Sequence, residues 1–157
     1  ALWMSARTMS YDLMEPELES DTMNRIRQEL KSALTITANS FPEGFEAEFT
    51  LPPDFVGFRH HFPGNPVLPG VAIIDAVAAA CSLAAGTTSS SIKRIKRAKF
   101  FTPVKPDMTV RMGADIKKGP GSCSISATLH SDGTRIAIVK IEMNDELSAR
   151  SGMNGSD

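Results

Sequence analysis

Gly70-Val71-Ala72-Ile73-Ile74-Asp75-Ala76-Val77-Ala78-Ala79-Ala80-Cys81-Ser82-Leu83-Ala84-Ala85-Gly86 is the stretch on which the fold turns. It is too long for one strand and carries no break until Gly86, which stands where a helical C-terminal cap belongs. A helix apolar on every side must be enclosed. Its many alanines (Ala72, Ala76, Ala78, Ala79, Ala80 and Ala84) would let a sheet approach the helix axis closely. One residue is out of keeping. Asp75 puts an ionisable group inside a greasy helix, which costs free energy unless something satisfies or uses it. Such a conflict between local chemistry and fold points to function.

Upstream of this helix, Arg59-His60-His61-Phe62-Pro63-Gly64-Asn65-Pro66-Val67-Leu68-Pro69 is a loop stiffened by proline and glycine. Earlier still, Asp21 is a plausible N-cap, and Met23, Ile26, Leu30 and Leu34 recur at helical spacing. Residues 39–44 read as a turn. Phe45, Ala47, Phe49 and Leu51 alternate with polar residues as in a half-buried strand, ended by Pro52-Pro53. Downstream, residues 91–101 read as a strand closed by an aromatic pair and stopped by Pro103 and Pro106. Val110 to Ile116 and Cys123 to Leu129 alternate on either side of a Gly-Pro-Gly turn. Asp132-Gly133 is a hairpin signal before a last strand over 135–143. The pattern predicts an α+β domain in which one buried helix is wrapped by an antiparallel sheet. A single sheet leaves part of that helix bare, so the N-terminal helix or a second copy of the chain must cover the rest. We expect a single domain over 21–147, with disordered segments at 1–20 and 148–157.

The 157 residues, 41% hydrophobic and 22% charged, fit one globular domain able to bury its own core. A net charge of -1 supplies no global field for nucleic acid. Cys81 and Cys123 are too few for a disulfide scaffold, stand in no metal-ligand spacing, and read as buried small hydrophobes. No run is long enough to span a membrane and the N-terminus has no signal-peptide pattern, so a cytoplasmic protein is expected. Lys93, Arg94, Lys96, Arg97 and Lys99 form a local basic cluster, which reads either as a solvated strand face or as a docking patch.

His61-Phe62-Pro63-Gly64-Asn65-Pro66-Val67-Leu68-Pro69-Gly70-Val71 closely resembles the signature of the beta-hydroxyacyl-(acyl carrier protein) dehydratases, the FabA/FabZ type of hot-dog fold protein. The segment Ala98-Lys99-Phe100-Phe101-Thr102-Pro103-Val104-Lys105-Pro106-Asp107 resembles a second, weaker family pattern, and the likeness runs over roughly residues 41–143. The resemblance implies a hot-dog fold and a dehydratase that converts (3R)-3-hydroxyacyl thioesters to trans-2-enoyl thioesters in fatty-acid or polyketide-type biosynthesis. It assigns His61 and Asp75 as the catalytic pair, contributed by different subunits of a homodimer, which in turn can build a trimer of dimers. It assigns Gly70 as the backbone N–H donor to the thioester carbonyl, with Val71, Phe62, Pro63 and Gly64 beside it in substrate binding. The substrate rides on the phosphopantetheine arm of an acyl carrier protein, for which the basic cluster is a docking candidate. No metal or redox cofactor is implied.

The residues fit that chemistry on physical grounds. Removing a weakly acidic proton alpha to a carbonyl calls for a base that is neutral near pH 7, and an imidazole such as His61 serves. The enolate oxygen needs a donor. A helix N-terminus offers free N–H groups and about half a positive charge, and one well-aimed donor is worth about 3 kcal/mol in related oxyanion sites. Glycine at 70 lets the thioester approach without a Cβ clash. The leaving hydroxyl needs a proton, and apolar surroundings would favour the protonated form of Asp75. Three features depart from the family pattern: Ala79 stands where Gln is usual, His60 where Gly is common, and no aromatic, proline-rich N-terminal segment is evident. The first and the last keep open a second reading, an acyl-thioester-binding hot-dog protein without turnover; a hot-dog thioesterase is a third, against which the His61-Phe62-Pro63-Gly64 motif argues.

Overall fold

The computed structural model describes residues 16–58, 66–87 and 91–144. Helix α1 (Pro16–Ala33) leads into strands β1 (Thr35–Ser40) and β2 (Gly44–Thr50), then a short 3-10 turn (Val56–Phe58). Helix α2 (Gly70–Ala85) follows, and strands β3 (Ile92–Phe100), β4 (Thr109–Gly119), β5 (Ser122–Ser131) and β6 (Thr134–Asn144) complete the domain. All six strands form one antiparallel sheet in the order β1-β2-β4-β5-β6-β3.

The register explains why one face of the sheet is apolar. Ala47 pairs with Met112, Met112 with Leu129, Leu129 with Ala137, and Ala137 with Phe100, so these side chains line up across five strands. A second row runs through Phe45, Ala114, Ala127, Val139 and Ala98. Since side chains alternate along a strand, the same register sends Glu46, Asp115, Ser126 and Lys140 to the other face. Helix α2 lies on the apolar face, packed against β1, β2, β3 and β6. Ala72, Ile74, Ala76, Val77, Ala80 and Cys81 are wholly buried there.

The bounds of α2 coincide with the apolar run read from the sequence, and Gly86 takes the left-handed conformation of a C-terminal cap (φ 74°). Its N–H donates to the Leu83 carbonyl and the Thr87 N–H to the Ser82 carbonyl. Asn39, from β1, donates its amide to the Ala84 carbonyl at 3.0 Å, satisfying another acceptor that the helix end leaves open.

Two expectations are corrected. Helix α1 starts at Pro16, ahead of the Asp21 cap and inside the segment set apart as 1–20; proline is well suited to a first helical turn. Strand β1 was absent from the expected elements. Residues 1–15 and 145–157, which include the expected tail at 148–157, lie outside the described residues.

Candidate active site

Helix α1 covers part of α2 but does not close it. Met23, Ile26 and Leu30 are buried along one stripe of α1, which packs on α2, the 3-10 turn and β2. A different face of α1, Asn24, Arg27, Gln28 and Lys31, borders a cleft of about 630 Å³. The opposite wall is the α2 stripe Asp75, Ala78, Ala79 and Ser82, and Ser91 and Ile92 lie at the β3 end. Both sets follow the i, i+3, i+4, i+7 spacing of one helix face, so two facing helices bound the cleft.

Asp75 is 5% exposed and lies on this cleft-facing stripe. Its Oδ2 sits 3.5 Å from Nε of Arg27, whose side chain is half exposed. The expectation of purely apolar surroundings for Asp75 is therefore corrected: the helix it belongs to is apolar, but the helix opposite contributes a guanidinium.

The N-terminus of α2 is built by two chain segments that are distant in sequence. Pro69, in extended conformation, precedes the first turn and offers no side-chain cap of its own. The helical ladder opens with the Ala72 N–H on the Pro69 carbonyl, so the Gly70 and Val71 N–H groups stand ahead of it. Leu68 N–H donates to the Val104 carbonyl at 2.8 Å, tying the loop before α2 to the segment after β3. Phe100 closes the contact: a Cβ on Gly70 would meet its ring at 2.9 Å. The two motif segments of the sequence thus meet at the head of α2. Asp75 lies about 7.5 Å along the helix axis from Gly70, at a rise of about 1.5 Å per residue.

His60, His61, Phe62, Pro63 and Gly64 lie outside the described residues. His130 is exposed on β5, as expected of a surface histidine. Cys81 and Cys123 are both buried and unpaired with each other, and burial pushes the Cys81 thiol up to about 12, with Cys123 adding to the effect.

Lys93, Arg94, Lys96, Arg97 and Lys99 all sit on β3, an edge strand of the sheet, and all are exposed. Arg94 and Lys96 are tied to Glu142 of β6 at 3.1 and 3.5 Å, and Lys96 also reaches Ser124 Oγ at 3.0 Å. The register sets Lys140 opposite Arg97, adding a sixth cation to the patch. Sequence reasoning missed Lys140, which only strand pairing brings there. It missed Arg27 as well, since nothing in one sequence says which face of α1 meets which face of α2.

A helix laid on a six-stranded antiparallel sheet, here with an acid on the helix and a glycine at its head, defines a hot-dog fold protein. The chain belongs to the ApeI-like family, described as ApeI dehydratase, whose pattern it matches over residues 37–137. It is similar to a 3-hydroxyacyl-(acyl carrier protein) dehydratase FabZ from Ehrlichia chaffeensis, 34% identical over 94 residues, which covers 57% of this chain and 64% of that protein. The chain thus spans under two thirds of that relative, and about half of several other FabZ proteins. Its structure resembles the dehydratase heterocomplex ApeI:P from Xenorhabdus doucetiae, with a TM-score of 0.58 and 24% identity over 70% of this chain and 96% of that one. It also resembles a hypothetical thioesterase with coenzyme A from Streptococcus pneumoniae, with a TM-score of 0.59 and 9% identity over 80% of this chain and 94% of that one. At such identities the two structural likenesses speak to the fold alone.

Proposed function

We propose that the chain is a hydro-lyase that dehydrates (3R)-3-hydroxyacyl thioesters, carried on an acyl carrier protein, to trans-2-enoyl thioesters. The observation that carries this reading is the buried Asp75 on a cleft wall of α2, just inside the helix whose first N–H groups stand ahead of its own ladder. Membership of a dehydratase family and the His61-Phe62-Pro63-Gly64 signature support it.

In this mechanism His61 removes the C2 proton while the Gly70 and Val71 N–H groups hold the thioester oxygen as negative charge develops on it. The C3 hydroxyl departs with a proton from Asp75, and water and the enoyl thioester leave. Phe62, Pro63 and Gly64 contribute to substrate binding. His61 and Asp75 come from neighbouring protomers of a homodimer, and the β3 cations receive the acidic carrier protein in a fatty-acid or polyketide-type pathway.

Incubation with a 3-hydroxyacyl thioester tests the reading by following enoyl absorbance and free thiol together. Enoyl product without thiol is expected, and H61A and D75A should each cost about a hundredfold or more. Thiol release would make the protein a thioesterase, and neither signal would leave it an acyl-thioester binder. Parent-like rates in both variants would remove the assigned roles.

A further inference from the structure

We propose that Arg27 is a positioning residue for Asp75, reaching across the cleft from α1 to orient the carboxyl and set its protonation. The inference rests on the dehydratase reading above.

Two opposing effects act on Asp75. It is almost fully buried on an apolar helix, and burial favours the neutral acid. The Arg27 guanidinium, with Nε 3.5 Å from Oδ2, favours the carboxylate. A general acid works best when poised between its two forms at the working pH, and a cation held against a buried carboxyl provides that poise. The arrangement is rigid on one side and open on the other. Ile26 and Leu30, buried on either side of Arg27 in sequence, anchor the turn of α1 that carries it. Ala78 and Ala79 leave room beside Asp75 for the guanidinium, and half of the Arg27 side chain remains exposed in the cleft. Besides Arg27, α1 contributes Lys31 as a charged group of this cleft; Asn24, Gln28, Ser82, Ser91 and Ile92 are neutral.

Steady-state dehydration of a 3-hydroxyacyl-N-acetylcysteamine thioester, measured against pH for the parent, R27Q and R27K, tests the proposal. In R27Q, kcat should fall roughly tenfold to a hundredfold with KM little changed, as for a misaimed catalytic group. The limb of the pH profile that Asp75 governs, identified as the one D75E displaces, should move to higher pH, because the guanidinium that counters burial is gone. R27K should restore most of kcat and return the limb toward its parent position. Where R27Q does not fold, R27M, which keeps the stem and loses the charge, repeats the measurement. Parent-like kcat and an unmoved limb in the charge-free variant, with D75A inactive, would overturn the role of Arg27 alone. Parent-like turnover in D75A would overturn the dehydratase assignment beneath it.

Discussion

At position 70 two demands fall on one glycine. The proposed chemistry asks for a backbone N–H that a thioester can approach, and the packing asks for no Cβ, because one would press into the Phe100 ring at 2.9 Å. G70A should therefore destabilise the fold by about 1–3 kcal/mol through overpacking. Adding F100L should recover part of that loss in thermal unfolding without restoring turnover. Full recovery of rate along with stability would mean that Gly70 serves packing alone. A second residue with a definite pH signature is Glu142. The hydrogen bond from Arg94 is foremost in holding its carboxyl below the ordinary 4.5, burial opposes this, and Lys96 reinforces it. A carboxyl held low when folded contributes stability that is present above its unfolded value and lost as pH falls through the folded one. The parent should thus be more stable than E142Q at neutral pH, and the gap between their melting temperatures should close on acidification below 4.5. A gap independent of pH would contradict this. At this scale the places of Gly70 and Asp75 in the fold were legible, the one as the head of the apolar run and the other as the ionisable residue within it. Arg27 and Lys140 were not, since an ordinary helix face and an ordinary strand face give no sign of what packs opposite.

Among the elements, α2 is the one whose limits could be read most directly. An apolar run with no polar face fixes a buried helix, and Gly86 fixes its end. Strand β1 is the counter-case. Thr35–Ser40 is almost wholly exposed, so selection for a buried face has left no alternation in it, and only its pairing with β2 makes it a strand. Helix α1 stands between the two: its apolar stripe was plain, but the partner of that stripe was not. Leu30 is wholly buried at the centre of that stripe. L30A should cost about 2–5 kcal/mol, measured by denaturant unfolding. Because α1 also brings Arg27 to Asp75, the same change should lower turnover at temperatures where the protein remains folded. Loss of stability with unaltered turnover would separate α1 from the site.

The whole molecule carries two different surfaces to which the proposed function gives a role. One is the cleft between α1 and α2; the other is the cationic edge strand β3 with Lys140 beside it. Arg94 and Lys96 already share Glu142, which leaves Lys93, Arg97 and Lys99 as the cations to remove without breaking those pairs. The variant K93E/R97E/K99E should raise KM for a carrier-borne substrate about tenfold or more, the scale on which charge steers association. It should leave KM for a small thioester unchanged. Equal KM for the carrier-borne substrate in parent and variant would assign the cluster to solvation. The architecture could be inferred before the structure because binary patterning specifies a helix on a sheet. The pairing of His61 with Asp75 rests on the family resemblance alone, because no periodicity relates a loop residue to a helix residue. C2 proton transfer coupled to loss of the C3 hydroxyl is the central step of the proposed reaction. Hydration of a trans-2-enoyl thioester in deuterium oxide, followed by mass spectrometry, measures that step directly in reverse. The parent should yield the 3-hydroxyacyl thioester with one carbon-bound deuterium at C2, and H61A and D75A should yield almost none. Cleaved thiol with no deuterium at C2, or an untouched enoyl thioester, would contradict the account.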